Sequence, residues 1–294
     1  MNIGPRIPGF SIQPIKLENG RYIIIIRIPK SWASPHMVTL ELRDHERFFS
    51  RTSSGKYPLD VSELRTAFVL SETIAERIKN FRNDRISNIL SGETPVPMDD
   101  NPKIILHVIP FTAFDISKTL PTSSLTEISR KIHPIFHITA YHYRYNLDGY
   151  LAYRDEPSDG YLQLFRNGII EVVGPAASKE EKLIPAIDYG AQIHDSLPIY
   201  ISALKDIGLS PPFLIALSLI GVRNCTIFVP RHHPLPNQKI DRDLLLLPEI
   251  LIEQFDFDLD RLLKQPLDAL WNASGYDKSP QFDDSEKWRD YPSS

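Results

Sequence analysis

Within ten residues the chain places Arg47, Arg51, Ser53, Ser54, Gly55 and Lys56, a set suited to holding phosphate. Arginine grips a phosphate through two parallel donors, serine hydroxyls and turn amides add short hydrogen bonds, and lysine supplies a mobile charge. Upstream, Lys30 and Trp32 follow an isoleucine-rich strand and would add a further charge and a ring on which a base can stack. Composition alone favours a plainer alternative, a polar hairpin loop with a core tryptophan. Gly55-Lys56 invites comparison with the nucleotide-binding P-loop, and the comparison fails. Ser50 stands where the first glycine belongs, Tyr57 replaces the required serine or threonine, and no helix starts at the lysine.

Other chemistries find less support. Gly-x-Gly-x-x-Gly after a strand, Gly-x-Ser-x-Gly and His-Glu-x-x-His are all absent, so no complete catalytic motif is present. His133 and His137 flank Pro134, which disfavours the helix that would align two rings on a metal. Asp256, Asp258 and Asp260 have the alternate spacing of a calcium loop, yet the central glycine and the distal glutamate are missing. An amphipathic connector with its acids facing solvent is the better reading. The single cysteine, Cys225, lies in an apolar stretch and reads as a core thiol, and one cysteine rules out an internal disulfide. No metal site and no cofactor are expected from these residues.

The elements that would position the phosphate set are β in character. Pro14 limits Phe10 to Leu17 to an edge strand, and Asn19-Gly20 turns the chain into Tyr22 to Ile28. The unbroken isoleucine run predicts a central strand buried on both faces. Met37 to Leu42 and Arg47 to Arg51 are further strands. A long helix follows from Val61 to Leu90, with Asp60 as N-cap, Glu63 in the capping-box position and Gly92 as the stop. Arg77, Lys79, Arg82 and Arg85 make its second half basic, but Glu76 and Asp84 interrupt the run, so an ordinary solvated face is the stronger reading.

Lys103 to Phe111 is expected to complete the sheet of a first domain, and the polar stretch around Ser117 to Arg130 is the best boundary candidate. Beyond it, Tyr150 to Arg154, Tyr161 to Phe165 and Ile169 to Val173 predict a three-stranded meander. Helices are expected over Ile187 to Leu204, Pro212 to Leu219, Leu244 to Phe255 and Leu259 to Trp271, with a strand at Cys225 to Val229. The acidic segment from Asn272 to Ser294 reads as loosely held.

The net charge of −4 hides an asymmetry. Residues 1 to 60 carry nine Lys/Arg against five Asp/Glu, and residues 240 to 294 carry six against thirteen, so the basic end is the expected nucleic-acid face. The excess is modest and argues against a protein that coats nucleic acid by charge alone. No apolar run is long enough to span a bilayer, and Met1-Asn2-Ile3-Gly4-Pro5 has no signal-peptide character, so the expected setting is the cytoplasm with no membrane partner.

Several strings carry a resemblance: Gly4-Pro5-Arg6-Ile7-Pro8-Gly9, Arg27-Ile28-Pro29-Lys30-Ser31-Trp32, Arg51-Thr52-Ser53-Ser54-Gly55-Lys56-Tyr57-Pro58-Leu59-Asp60 and Ser91-Gly92-Glu93-Thr94-Pro95-Val96-Pro97. They resemble bacterial proteins of the Schlafen-like AlbA-type DNA-binding family. Tyr161 to Glu171, Ile240 to Glu249 and Trp271 to Tyr276 are similar to that family's usual companion region. Members begin the domain with a Leu-Glu-Tyr/Phe-Lys segment, a helix and a Gly-rich strand turn, none of which lies upstream of Gly4. The resemblance therefore implies an α+β chain. It would comprise an incomplete Schlafen-like mixed sheet with a long helix over residues 1–115, a linker at 116–140 and an α+β accessory domain at 141–294.

The implied function is binding of DNA or RNA, in a regulatory or defence role, with Arg51, Ser53, Ser54, Gly55 and Lys56 as the ligand-binding turn. ATP is implied only by a label common in the family, and the carboxylates of nuclease-active Schlafen relatives have no assignable counterpart here. Two alternatives stay open: a remnant of an ATP-binding or nuclease enzyme, and a protein-interaction module in the second half.

Overall fold

The computed structural model describes residues 3–4, 7, 11–28, 35–38, 47–52, 55–115, 119–135, 142–154, 157–229 and 238–289. Six short strands, β1 (Ile3–Gly4), β2 (Ser11–Lys16), β3 (Tyr22–Arg27), β4 (Met37–Val38), β5 (Arg47–Thr52) and β6 (Gly55–Pro58), precede the helix α1 (Val61–Leu90). They make an antiparallel sheet in the order β1-β4-β5-β6 and a separate β2-β3 hairpin. The hairpin turns where Asn19-Gly20 predicts, with Gly20 at φ +78°.

The isoleucine run does not occupy a central strand. Among the described residues β3 pairs with β2 alone, and its residues are exposed throughout, Ile24 at 64% and Ile26 at 55%. An apolar run specifies extended backbone but not what covers it, and among the described residues nothing covers either face of this ribbon.

The helix start is as the sequence predicts. Asp60 accepts from the Glu63 amide at 2.8 Å while Glu63 accepts from the Asp60 amide at 3.0 Å. At the other end Gly92, at φ +79°, lets the Glu93 amide reach Asn88 O and the Gly92 amide reach Ile89 O, closing the last turn of carbonyls. The two halves of α1 have different neighbours. Phe68 meets Phe48 of β5 edge to face at 6.0 Å, whereas Ile74, Ile78, Ile86 and Ile89 are buried further along.

Those residues rest on the main sheet. Its first strands are β7 (Lys103–Pro110), β8 (His142–Tyr145), β9 (Gly149–Tyr153), β10 (Tyr161–Phe165) and β11 (Ile170–Pro175). The intervening elements are α2 (Thr122–Ser129), β12 (Leu183–Ile184), α3 (Ala186–Asp206), β13 (Phe213–Ile220), β14 (Thr226–Ile227), β15 (Leu244–Leu246), β16 (Ile250–Ile252) and α4 (Leu259–Asn272). The strand order is β15-β13-β7-β11-β10-β9-β8, all antiparallel, with β16 also on β13. Alternate residues such as Leu106, Val172 and Leu217 face a large core filled by α2, α3 and α4, and the opposite set faces α1. Both helices and strands are thus present in several sheets, as an α+β chain requires.

Four expectations are corrected. β7 does not complete the N-terminal sheet: it lies between β11 and β13, every residue buried. Within the expected linker, α2 places Leu125 and Ile128 fully inside the main core. Pro212 to Leu219 and Leu244 to Phe255 are not helices but supply β13, β15 and β16, because a fully apolar run of about eight residues has no period that separates a buried strand from a buried helix. The C-terminal segment is docked rather than loose as far as residue 289, with Ser279 and Gln281 fully buried and Trp288 stacked on His194 at 4.2 Å; residues 290–294 lie outside the described residues. Gly190 in α3 leaves the space that the Gln281 side chain fills, and Gln281 Nε2 donates to Ile187 O.

Candidate nucleic-acid interface

The β5-β6 hairpin brings two of the anticipated residues together. Arg51 and Lys56 are direct cross-strand partners, so their side chains leave the same face, and both are exposed. Among the described residues neither reaches a carboxylate. Lys56 Nζ instead sits 4.8 Å from the ring centroid of Phe49, two residues from Arg51 on that face. Like charges directly opposite across a ladder repel, by a few tenths of a kcal/mol to about 1 kcal/mol, and an anion bound between them would relieve this. Gly55 stands at φ +132° with open space where a Cβ would be, so the turn backbone is accessible.

The hairpin is braced from behind, because Tyr57 OH donates to Glu63 Oε1 at 2.9 Å and thereby ties β6 to the capping box of α1. Arg47 opens β5, where its backbone pairs with Val38. Ser53, Ser54, Lys30 and Trp32 lie outside the described residues.

The basic half of α1 does not extend this face as a row of cations. Arg77 donates to Phe114 O at 3.1 Å, and Lys79 remains exposed. Arg82 is turned inward onto Glu249, and Arg85 grips Glu171 with two hydrogen bonds of 2.9 and 2.8 Å. Glu171 is completely buried on β11 and also contacts His107 Nε2 at 2.9 Å and accepts from Tyr161 OH at 2.8 Å.

Burial pushes the Glu171 carboxyl up, but the hydrogen bonds from Arg85 and His107 and their charge outweigh it and hold the group at about 2. Burial next to that carboxylate drives the Tyr161 hydroxyl well above its ordinary value. With both Glu171 oxygens already occupied and no exposure, the cluster offers a substrate no opening. It is an ionic clamp fastening α1 to the sheet. Glu171 and His107 do have a sequence signal, each being an ionisable residue amid apolar neighbours within a strand, while the partner Arg85 has none.

Asp256 to Asp260 form no calcium loop. Asp258 caps α4 by accepting from the Arg261 amide at 3.2 Å, and Asp260 accepts from the Trp288 amide and faces His194 Nε2. Cys225 is buried, and its thiol is pushed up by that burial. Among the described residues no helix is long and apolar enough to cross a membrane.

No family model, curated protein or solved structure matches this chain.

Proposed function

We propose that this chain binds nucleic acid by its phosphate backbone, with the β5-β6 hairpin as the contact. The observation that carries the reading is the exposed cross-strand pair Arg51 and Lys56, without an acid in reach among the described residues and braced by Tyr57 on the capped start of α1. Arginine supplies the two-pronged contact and lysine the adjustable one. Phe49, beside Lys56, gives the face an apolar floor. The surrounding strings resemble a DNA-binding family, which points the same way, and the setting we assign is the cytoplasm.

Such a contact reads charge rather than sequence. Labelled single-stranded DNA, duplex DNA and RNA of equal length, titrated in fluorescence anisotropy, test it. The double variant Arg51→Ala, Lys56→Ala should bind whichever polymer the wild type prefers about tenfold or more weakly, while remaining folded because both side chains are on the surface. Unchanged affinity in the double variant would refute the assignment.

A further inference from the structure

A cavity of about 570 Å³ lies between the second half of α1 and the corner of the sheet where β15 and β16 both pair with β13. Its walls are aliphatic, from Ile74, Ile78, Leu214, Leu246 and Leu251, with Phe111 at one end. Arg82 lines it and is only 7% exposed. Of its five donors, one holds Glu249 and one reaches Ser218 Oγ at 3.4 Å, and Nε has no partner. Burial pulls the Arg82 guanidinium below its ordinary value despite the opposing Glu249 charge.

Glu249 itself is weakly committed. It sits in the short connection between β15 and β16, its side chain is 49% exposed, and water stands ready to solvate it if it leaves Arg82. The volume and the ratio of apolar wall to polar anchor are those of a small-molecule site.

We propose that this cavity binds an aliphatic monocarboxylate, whose head group displaces Glu249 and takes a two-pronged hold on Arg82 while its chain lies along the isoleucine and leucine walls. A monoanion is favoured over a phosphate ester by the lining charges. Glu249 and Glu253 balance Arg82 and the exposed Lys79, so the lining carries no surplus positive charge, and a dianion would be repelled more strongly than a monoanion that takes the place of Glu249 on Arg82. A straight chain is favoured over a flat ring because the apolar part of the lining is aliphatic except for Phe111. This site is separate from the β5-β6 hairpin and does not depend on the nucleic-acid reading.

Titration calorimetry of the full chain with octanoate, decanoate and the alcohols of matching length tests the proposal. The carboxylates should bind saturably at one site, the alcohols about tenfold or more weakly, since they forgo the charge-assisted bonds. Glu249→Gln should tighten carboxylate binding several-fold by weakening the internal competitor. Leu246→Trp, on a half-exposed edge-strand position, should block the cavity without touching Arg82, so the test does not rest on an arginine variant that fails to fold. Three results would each overturn it: no saturable binding in either the wild type or Glu249→Gln, equal affinity for acid and alcohol, or binding indifferent to Leu246→Trp.

Discussion

Glu171 shows how one side chain decides the arrangement around it. A buried carboxylate with four hydrogen bonds to three partners, Arg85 twice, His107 and Tyr161, stabilises the junction of α1 and the sheet only while all of them remain. Removing its charge strands the arginine, so Glu171→Gln should cost about 3 kcal/mol in urea unfolding, measured as a lower midpoint at unchanged slope. The carboxyl is held at about 2 in the fold, below the value near 4.5 it takes when unfolded. Its contribution is therefore complete above about pH 4.5 and is lost as the pH falls towards about 2. Stability measured across that window should fall steeply in the wild type and less steeply in Glu171→Gln; parallel curves would show that another group governs the acid limb.

Among elements, α1 and the β2-β3 hairpin stand at opposite ends of legibility. The boundaries of α1 are written locally, in Asp60, Glu63 and Gly92, and local chemistry places them correctly. The two apolar strands β3 and β13 look alike in sequence, yet one is exposed and the other fully buried, because burial depends on partners far away in the chain. The exposed ribbon has a consequence. An exposed apolar strand whose second edge has no partner among the described residues favours pairing with another chain. The apparent mass of the wild type from light scattering should rise with concentration, and Ile24→Lys, which places a charge on that strand, should suppress the rise. An apparent mass independent of concentration in the wild type would contradict it.

For the whole molecule, α1 links two unequal parts. Its first half touches the small β1-β4-β5-β6 sheet that presents Arg51 and Lys56 through Phe68 on Phe48 and Glu63 on Tyr57, and its second half lies across a large antiparallel sheet backed by three helices. The meander of β9, β10 and β11 was legible because its strands alternate with polar stretches, the second of them the short turn marked by Asn167-Gly168. The place of β7 was not, since sheet order is set by pairings between residues about seventy and about one hundred and ten positions apart, which no local pattern encodes. The cation pair itself was foreseen as a set of residue types. Its cross-strand geometry needed the register Arg51 to Lys56, and the inward turn of Arg82 and Arg85 needed the sheet they meet.

The central claim, that the hairpin cations meet phosphates, is tested most directly by the salt dependence of nucleic-acid binding. Each phosphate contact releases a condensed counterion, so the slope of log affinity against log salt counts contacts. Comparing the wild type with Arg51→Ala, Lys56→Ala on duplex DNA, the account predicts a slope shallower by about 2 in the variant, one contact for each cation removed. Equal slopes in the two proteins would contradict it.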